Sequence, residues 1–350
     1  MLNAKENYLA CLRGEQPEYV PRYSFGRMPG QEGPVSNQMV GPPQLMPGFN
    51  PDGGERKDIF GVRYISTDSA GGGGMPANDY FLLPLEGIVN WGDYVTIPDY
   101  SDVDWHAALD NWEETSGINR AETAVTLNLC FGYFQMLMAF MGFENGMIAL
   151  YEYPDEVKDL LQALSDFYMN ICDNVIDIYK PDIMGLCDDI AAWHAPFCSP
   201  DMFREFFMPH HDRLAGAARD RGLLMDMHCC GKTEDNIPLY REMGIMGWSA
   251  AQTCNDLAGI KATYGNSFVI MGGWDATPRL LEPFASPENP DGLTEEELRQ
   301  SVRDAFDMLA PGGGYVWAAG FLTAIGDELG REKNMIIQDE AVSYGDKFYK

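Results

Sequence analysis

Apolar positions recur along the chain with two alternating periods, which predicts that strands and helices take turns. Short, mostly apolar runs such as DIMGLC and LLMDM have the length and composition of buried strands, and longer stretches with apolar residues every three or four positions are typical of helices. The predicted strands cover residues 19–25, 124–130, 182–187, 223–227, 247–252, 268–271 and 314–318. The predicted helices cover residues 3–14, 133–142, 154–179, 200–221, 233–243, 255–264, 295–309 and 323–345.

This order of elements predicts a parallel sheet, because each strand is followed by a helix long enough to cross back over the sheet. At least seven such units follow one another without a linker, which favours a closed (β/α)8 TIM barrel of the α/β class over a doubly wound sheet. We therefore expect one barrel domain over residues 1–350. Residues 27–92 form a Gly- and Pro-rich excursion that is too long for a plain connection, and we expect it to be a lid or a docking surface.

Charge and composition exclude several classes of function. The 350-residue chain has 24 Lys and Arg against 53 Asp and Glu, a net charge of −29, which disfavours binding to nucleic acid or to an anionic membrane. It has no apolar run of about 20 residues, and its first residues, MLNAKENYLA, lack the layout of a signal peptide, so we expect a cytoplasmic protein. The eight scattered cysteines indicate reduced thiols, as in an anaerobic cytosolic protein. Neither a GxGxxG nor a GxxxxGK[ST] motif supports a nucleotide site.

Polar side chains collect where the predicted strands end. In a parallel barrel the carboxyl ends of all strands meet at one rim, where catalytic groups gather. The residues that this rule selects are Arg27, Asn128, Cys130, Asp188, Asp189, His228, Cys230, Gln252, Cys254, Asp275 and Trp317. Groups able to bind a metal or a substrate are therefore expected to converge on one rim.

The sharpest local signal is the run His228, Cys229, Cys230 and Gly231. Residues two apart on a strand point to the same side, so His228 and Cys230 could share one ion. An imidazole and a thiolate suit Zn²⁺, and a catalytic zinc takes three protein ligands and keeps one open position. The alternative is that both cysteines are small core residues and the histidine bonds a neighbouring strand. Four residues are open as the third ligand, namely Asp189, Cys254, Glu144 and Cys187.

Asp188 and Asp189 follow the predicted strand 182–187 directly. Adjacent strand residues point to opposite faces, so at most one carboxylate can look into the barrel mouth. That carboxylate could orient a substrate or act as acid and base, whereas the other could cap a helix or pair with an arginine.

Several segments carry a resemblance to a known family. NAKENYLACLRGEQPEYVP, DDI-x11-MFREFFMP, HCCGKTEDNIPLYREMGI, AAQTCNDLAGIKATYG, IMGGWD and LAPGGGYV resemble the uroporphyrinogen decarboxylase superfamily over nearly the whole chain. The resemblance implies a (β/α)8 barrel. One branch of this superfamily decarboxylates porphyrinogens without a cofactor, using arginines and an aspartate. The other comprises zinc-containing, cobamide-dependent methyltransferases that exchange methyl groups with a separate corrinoid protein.

The details favour the second branch. The segment PRYSFGRMPG keeps Arg22 and Arg27 but lacks the QAGR pattern of the decarboxylases, and a charge of −29 suits an octa-anionic substrate badly. His228, Cys230 and Gly231 match the H-x-C-G zinc signature of the methyltransferases. The further zinc cysteine of thiol-directed members is absent, because their PGCG-like turn reads PGGG here. The turn APGGGY instead looks like that of members that demethylate methoxylated aromatics.

The resemblance implies an O-demethylase component that moves a methyl group from a small methylated substrate, an aryl methyl ether being favoured, to a corrinoid held by a partner protein. Zinc on His228 and Cys230, completed by Asp189 or Cys254, would act as a Lewis acid, with Asp189 and His228 as the catalytic residues. The rings of Tyr23, Phe25 and Trp317 would hold an aromatic substrate. The expected substrate-binding residues are Tyr23, Arg27, Asp188, Gln252, Asp275 and Trp317.

Two alternatives remain open. The first is a cofactor-free lyase like the decarboxylases, in which Arg22 and Arg27 hold a carboxylate and Asp189 steers protonation. The second is a catalytically inactive barrel that serves as a binding subunit. The oligomeric state is not predicted, and a homodimer is left open.

Overall fold

The predicted parallel sheet is present in the structure, a computed structural model that describes residues 2–23, 36–41, 55–67, 74–129, 132–323 and 326–350. The strands in these ranges are β1 (Asn37–Val40), β2 (Glu55–Lys57), β3 (Arg63–Ser66), β4 (Gly74–Pro76), β5 (Ala124–Asn128), β6 (Ile183–Cys187), β7 (Leu224–His228), β8 (Gly247–Ala251), β9 (Val269–Gly272) and β10 (Tyr315–Val316). Seven of them form one sheet in the order β1, β5, β6, β7, β8, β9 and β10, and all neighbours are parallel.

An eighth strand position lies beside β10. Arg22 and Trp317 form a parallel bridge, and the Tyr23 amide donates a hydrogen bond to the Trp317 carbonyl at 2.8 Å. The strand predicted over residues 19–25 is therefore reduced to this bridge in the described residues. Together with the helices that cover the sheet, the arrangement is the TIM-barrel-like (β/α)8 fold that the sequence predicted.

The helices alternate with the barrel strands. They are α1 (Ala4–Leu12), α2 (Trp105–Ser116), α3 (Tyr133–Met141), α4 (Phe143–Glu152), α5 (Pro154–Tyr179), α6 (Pro200–Met202), α7 (Met208–Asp220), α8 (Ile237–Glu242), α9 (Leu257–Tyr264), α10 (Pro278–Leu281), α11 (Glu295–Leu309) and α12 (Glu328–Gly345). A π-helical turn, Phe203–Phe207, joins α6 to α7, and 3-10 helices cover Leu85–Asp93 and Glu234–Asn236. No helix in these ranges is both long and apolar enough to cross a bilayer.

Local chemistry explains where the best-predicted helices begin and end. Helix α5 begins with Pro154 in its first turn, where a missing amide hydrogen costs nothing, and is capped after Tyr179 by Lys180 in the left-handed conformation. Helix α11 begins with a capping box, in which the Thr294 and Glu297 side chains each bond the other residue's backbone amide. Both helices bury one apolar face, which includes Leu160 and Leu164 in α5 and Leu298 and Val302 in α11.

Helix α1 closes the amino-terminal end of the barrel. Its residues Tyr8, Cys11 and Leu12 pack in a separate buried cluster with Ile183 and Val269, which lie at the start of their strands. An ion pair of 2.7 Å between Lys5 Nζ and Asp182 Oδ1 holds the helix beside the start of β6. The opposite end, where the strands finish, is left for a functional site.

The excursion over residues 27–92 contains regular structure in its described parts. Strand β1 lies within it and pairs with β5, so a barrel strand is present where the sequence predicted only a loop. Strands β2, β3 and β4 form a small antiparallel sheet. Residues 24–35, 42–54 and 68–73 lie outside the described residues, so a lid or docking role stays a prediction.

Candidate metal centre at the barrel mouth

Three side chains able to bind a metal meet at the carboxyl ends of β6 and β7. His228 is the last residue of β7, Cys230 follows two residues later, and Asp189 lies two residues beyond the end of β6. Cys230 Sγ lies 3.6 Å from His228 Nε2, which in turn lies 3.9 Å from Asp189 Oδ1. Within the described ranges, this is the one group of three such residues whose ligand atoms all lie within 4.8 Å of one another.

The two distances from His228 Nε2 to the other ligand atoms are close to those around a tetrahedral zinc. Such an ion, with its usual bond lengths, separates nitrogen, oxygen and sulfur ligands by about 3.3 to 3.5 Å. The observed 3.6 Å and 3.9 Å separations come within a few tenths of an ångström of this range. The His228 and Asp189 side chains are 23% and 32% exposed, so a fourth position would face the barrel mouth. The donor set therefore fits a catalytic zinc with one open position.

Hydrogen bonds from two backbone amides to side-chain oxygens hold the turn that carries Cys230. The Cys230 amide donates to Asp189 Oδ1 at 2.7 Å, and the Gly231 amide donates to Gln252 Oε1 at 2.6 Å. Gly231 has a φ of +82°, and a Cβ there would approach the Ala191 carbonyl oxygen to 2.5 Å. Only glycine fits both the conformation and the space, which explains the last residue of the H-x-C-G run.

Cys229 points away from the mouth, as the alternation of strand residues predicts. It is fully buried, and its Sγ lies 3.5 Å from the Thr233 hydroxyl. Burial raises the pKa of the Cys229 thiol to about 12, so it remains protonated and unreactive. Of the two adjacent cysteines, Cys230 is thus the one at the cluster.

Electrostatics at the cluster favour a neutral imidazole and a protonated thiol until a cation binds. Burial lowers the pKa of His228, with Asp189 acting in the opposite direction. Burial, followed by the charge of Asp189, raises the pKa of Cys230. The His228 Nδ1 atom lies 3.2 Å from the Ser249 hydroxyl, which leaves Nε2 facing the other two ligands. A divalent cation seated there would stabilise the thiolate and reverse the shift of the Cys230 pKa.

Asp188 lies behind the mouth. Its carboxylate is fully buried, accepts the backbone amides of Tyr133, Phe134 and Gln135 at 3.0 to 3.1 Å, and lies 3.0 Å from His211 Nε2. It therefore caps the first turn of α3. This position does not support the predicted contact between Asp188 and a substrate, because all of the carboxylate surface is covered by protein.

Three other predicted residues support the loops around the cluster. The Cys254 thiol is outside the three-residue group and accepts a bond from Asn255 Nδ2 at 3.4 Å. Gln252 holds the Gly231 amide through its side-chain oxygen. Asp275 Oδ2 accepts bonds from the Thr253 amide and hydroxyl at 2.6 Å and 2.8 Å. The geometry thus favours Asp189 over Cys254 as the third ligand.

The two described aromatic candidates do not present their rings to the mouth. Tyr23 and Trp317 are only 8% and 1% exposed. The Trp317 indole nitrogen donates to Gln338 Oε1 at 3.0 Å, and the Tyr23 ring faces the Tyr8 ring at 6.4 Å. The remaining candidates at this rim, namely Phe25, Arg27 and Cys130, lie outside the described residues.

Glu144 and Cys187, the remaining candidate ligands, are not members of the three-residue group. Glu144 is exposed on α4, and the Cys187 thiol lies 3.8 Å from Gln135 Oε1. Asn128 ends β5 and is half-buried. The Arg22 guanidinium forms an ion pair of 2.9 Å with Asp346 at the end of α12. That pairing weakens the alternative in which Arg22 holds a substrate carboxylate.

Sequence reasoning missed two residues that shape the site. Gln135 Nε2 donates to Asp189 Oδ2 at 3.1 Å. Asn255 accepts the amides of Thr233 and Glu234 and donates to the Gly231 carbonyl at 2.9 Å, which fixes the loop after Cys230. The position of Asn255 just after β8 was the available signal, since polar residues there face the same rim, whereas Gln135 lies within α3 and no spacing signal pointed to it.

Comparisons with known proteins agree with this architecture. A family model described as uroporphyrinogen decarboxylase (URO-D) matches residues 120–324, which include Asp189, His228 and Cys230. Among solved structures, a methyltransferase from Methanosarcina mazei shares 15% sequence identity, with a TM-score of 0.62 over 100% of both chains. At that identity the likeness establishes a shared fold. Comparison with curated proteins gives no significant match.

Proposed function

The chain belongs to the uroporphyrinogen decarboxylase family, and from this premise we propose that it is a methyltransferase that moves a methyl group from a small methylated substrate to the cobalt of a corrinoid held by a separate protein. The observation that carries the proposal is the group of Asp189, His228 and Cys230 at the barrel mouth. One imidazole, one thiol and one carboxylate at ligand spacing form a donor set for catalytic zinc. The methyltransferase that shares the fold supports the proposed reaction class.

The roles of the three side chains follow from their geometry. His228 Nε2, Cys230 Sγ and Asp189 Oδ1 would hold zinc, which when bound supplies a Lewis acid for the atom that loses the methyl group. The partial exposure of the His228 and Asp189 side chains lets a substrate reach the open side of the group. Gln252 fixes the turn that carries Cys230, so the ligand positions are set before a substrate arrives.

An aryl methyl ether is the methyl donor to test first. Loss of its methyl group leaves a phenolate, the kind of anion that a Lewis acid stabilises. The buried rings of Tyr23 and Trp317 offer no surface to such a substrate, so its aromatic ring would contact other residues of the mouth.

The cofactor-free lyase is the weaker interpretation of this family membership. Arg22, one of its two proposed carboxylate-binding residues, is paired with Asp346. The net charge of −29 also opposes the approach of a highly anionic porphyrinogen.

Metal content is the decisive measurement. The chain would be purified anaerobically and analysed by mass spectrometry for zinc, beside the variants Asp189→Ala, His228→Ala and Cys230→Ala. We expect about one zinc per chain in the purified parent protein and little zinc retained through purification by the three variants, whose remaining ligands bind it more weakly. The Cys254→Ala variant should keep its zinc. Loss of zinc from this variant would show that Cys254 is a ligand. A parent protein free of metal would overturn the zinc-assisted reaction.

Activity then separates the two chemistries. Metal-loaded protein would be mixed with free cob(I)alamin and a methoxylated aromatic, and the absorption of methylcobalamin would be followed. Methylcobalamin should form with the parent protein and not with Cys230→Ala. Decarboxylation of uroporphyrinogen by metal-free protein would instead establish the lyase.

A further inference from the structure

The Gln135 side chain lies between Cys187, the last residue of β6, and Asp189 of the candidate metal centre. Its Nε2 atom donates to Asp189 Oδ2 at 3.1 Å, and its Oε1 atom faces the Cys187 thiol, with Oε1 and Sγ 3.8 Å apart. The thiol donates and the carboxylate accepts, so both ends of the amide have a matching partner. This arrangement fixes which way the amide points.

The backbone of Gln135 is held in place by the neighbouring acidic residue. Its amide donates to Asp188 Oδ1 at 3.1 Å, while Tyr133 and Phe134 donate to Asp188 Oδ2 at 3.0 Å. Asp188 is fully buried, and its position is further fixed by His211. Gln135 thus joins the two adjacent carboxylates, through its main chain to Asp188 and through its side chain to Asp189.

The consequence for Asp189 concerns which oxygen faces the cluster. Because Gln135 bonds Oδ2, the other carboxylate oxygen, Oδ1, is left to accept the Cys230 amide at 2.7 Å. Oδ1 also lies 3.9 Å from His228 Nε2, on the side of the candidate metal centre. The terminal torsion of an aspartate is broad, so a carboxylate that is 32% exposed would rotate more freely without the second donor. Outer partners of this kind orient metal ligands and tune the affinity of the site.

We propose that Gln135 is a positioning residue that turns Asp189 Oδ1 toward His228 and Cys230. The inference rests on the proposed function, because it presumes that these three residues bind a metal. It adds a residue of helix α3 to the site, so the cap of that helix on Asp188 and the coordination at Asp189 form one connected structure.

The test is a double-mutant cycle on metal affinity. Gln135→Met removes the amide but keeps the length and packing of the side chain, and Gln135→Leu is the second variant if the first does not fold. The metal-free proteins would be titrated with Zn²⁺ against a chelator and with Co²⁺, whose visible spectrum reports coordination number and thiolate binding. We expect the zinc Kd to rise about 10- to 100-fold in Gln135→Met and the Co²⁺ bands to change.

The second arm of the cycle separates positioning from a general effect on the fold. In an Asp189→Ala background, Gln135→Met should leave the Kd unchanged, because the carboxylate that it orients is gone. Gln162→Met is the matched control, since Gln162 makes a similar bond of 2.8 Å to Asp166 on the surface of α5. It should leave both the Kd and the Co²⁺ spectrum as in the parent protein.

The outcomes distinguish this inference from the proposed function. If the parent protein binds zinc through His228 and Cys230 but Gln135→Met binds it equally tightly, the positioning role is wrong and the metal site stands. The positioning role is also wrong if Gln135→Met weakens binding equally in the Asp189→Ala background. If the parent protein binds neither metal, both the zinc site and the role of Gln135 are overturned.

Discussion

Asp188 and Asp189 are adjacent in the chain, yet their carboxylates differ in exposure and in the groups that they bond. Asp188 is fully buried and accepts three backbone amides from the first turn of α3, whereas Asp189 is 32% exposed and faces His228. The two neighbours therefore have different roles: Asp188 caps helix α3, whereas Asp189 lies at the candidate metal centre. Substitutions at the two positions should therefore affect different properties.

Replacement of Asp188 should destabilise the fold. Asp188→Ala would leave two buried amides, one partly buried amide and His211 without their acceptor, and we expect the free energy of unfolding to fall by on the order of 3 kcal/mol. Urea denaturation of the metal-free protein, followed by circular dichroism, measures the change. Asp189→Ala is the control, with an expected loss below about 1 kcal/mol because the side chain is partly solvated. Equal losses in both variants would contradict these different roles.

Gly231 should tolerate no side chain. Gly231→Ala would combine a φ of +82° with a Cβ placed 2.5 Å from the Ala191 carbonyl oxygen, and we expect it to cost about 3 kcal/mol or more of the free energy of unfolding. It should also lower metal content, because it displaces the turn that carries Cys230.

The matched control is Gly222→Ala. Gly222 also has a positive φ, +66°, but a Cβ there would meet nothing within 4 Å. Its expected cost is about 1 kcal/mol, the conformational part alone. Thermal and urea unfolding of both variants would show whether the close approach to Ala191 adds the rest, and equal costs would argue against that contact.

The sequence predicted the fold well where local signals agree with packing. Helices α5 and α11 occupy the predicted residues 154–179 and 295–309, because strong apolar periods coincide there with capping signals. Strand β1 was missed because only two of its four residues are buried and the first of them is polar: Asn37 is fully buried and its Oδ1 accepts a bond from the Thr126 hydroxyl at 2.6 Å. A hydrophobic pattern cannot detect a strand whose inward residue is an amide.

The site was predictable only in part, for a similar reason. Strand ends and the H-x-C-G run point to Asp189, His228 and Cys230, which the structure brings together. The sequence could not decide which of two adjacent aspartates faces inward, since this depends on where β6 leaves the sheet. Gln135 reaches the cluster from the preceding βα unit, and no spacing rule within one segment predicts such a contact.

Acid should weaken the fold through His210. This histidine is buried on α7 beside Tyr133, and burial lowers its pKa to about 4, helped by His211 and Arg213 and opposed by Asp166. In the unfolded chain His210 takes up a proton near pH 6.5, whereas in the folded chain it does so only near pH 4. The free energy of unfolding should therefore fall between these values, by up to about 3 kcal/mol from this group.

Urea titrations at about pH 7 and about pH 4.5 test this linkage. His210→Gln removes the titrating group, so its loss of stability between the two pH values should be smaller than that of the parent protein. His106→Gln, at an exposed histidine of α2, is the control and should behave like the parent. A His210→Gln variant with the full acid sensitivity of the parent would assign that sensitivity to other groups.

Zinc affinity should rise with pH because Cys230 must lose its proton to bind. Burial and Asp189 raise the pKa of the Cys230 thiol, so it is protonated in the metal-free protein at neutral pH, whereas His228, with a lowered pKa, is already neutral. Binding then releases about one proton, and the association constant should increase about tenfold per pH unit between about pH 7 and 8.5. Calorimetry in buffers of different ionisation enthalpy counts the released proton directly. The variant Cys230→Asp, in which a carboxylate replaces the thiol, should bind zinc more weakly and with a flatter pH dependence. If the association constant of that variant rose with pH as steeply as in the parent protein, the Cys230 thiol would be excluded as the source of the proton.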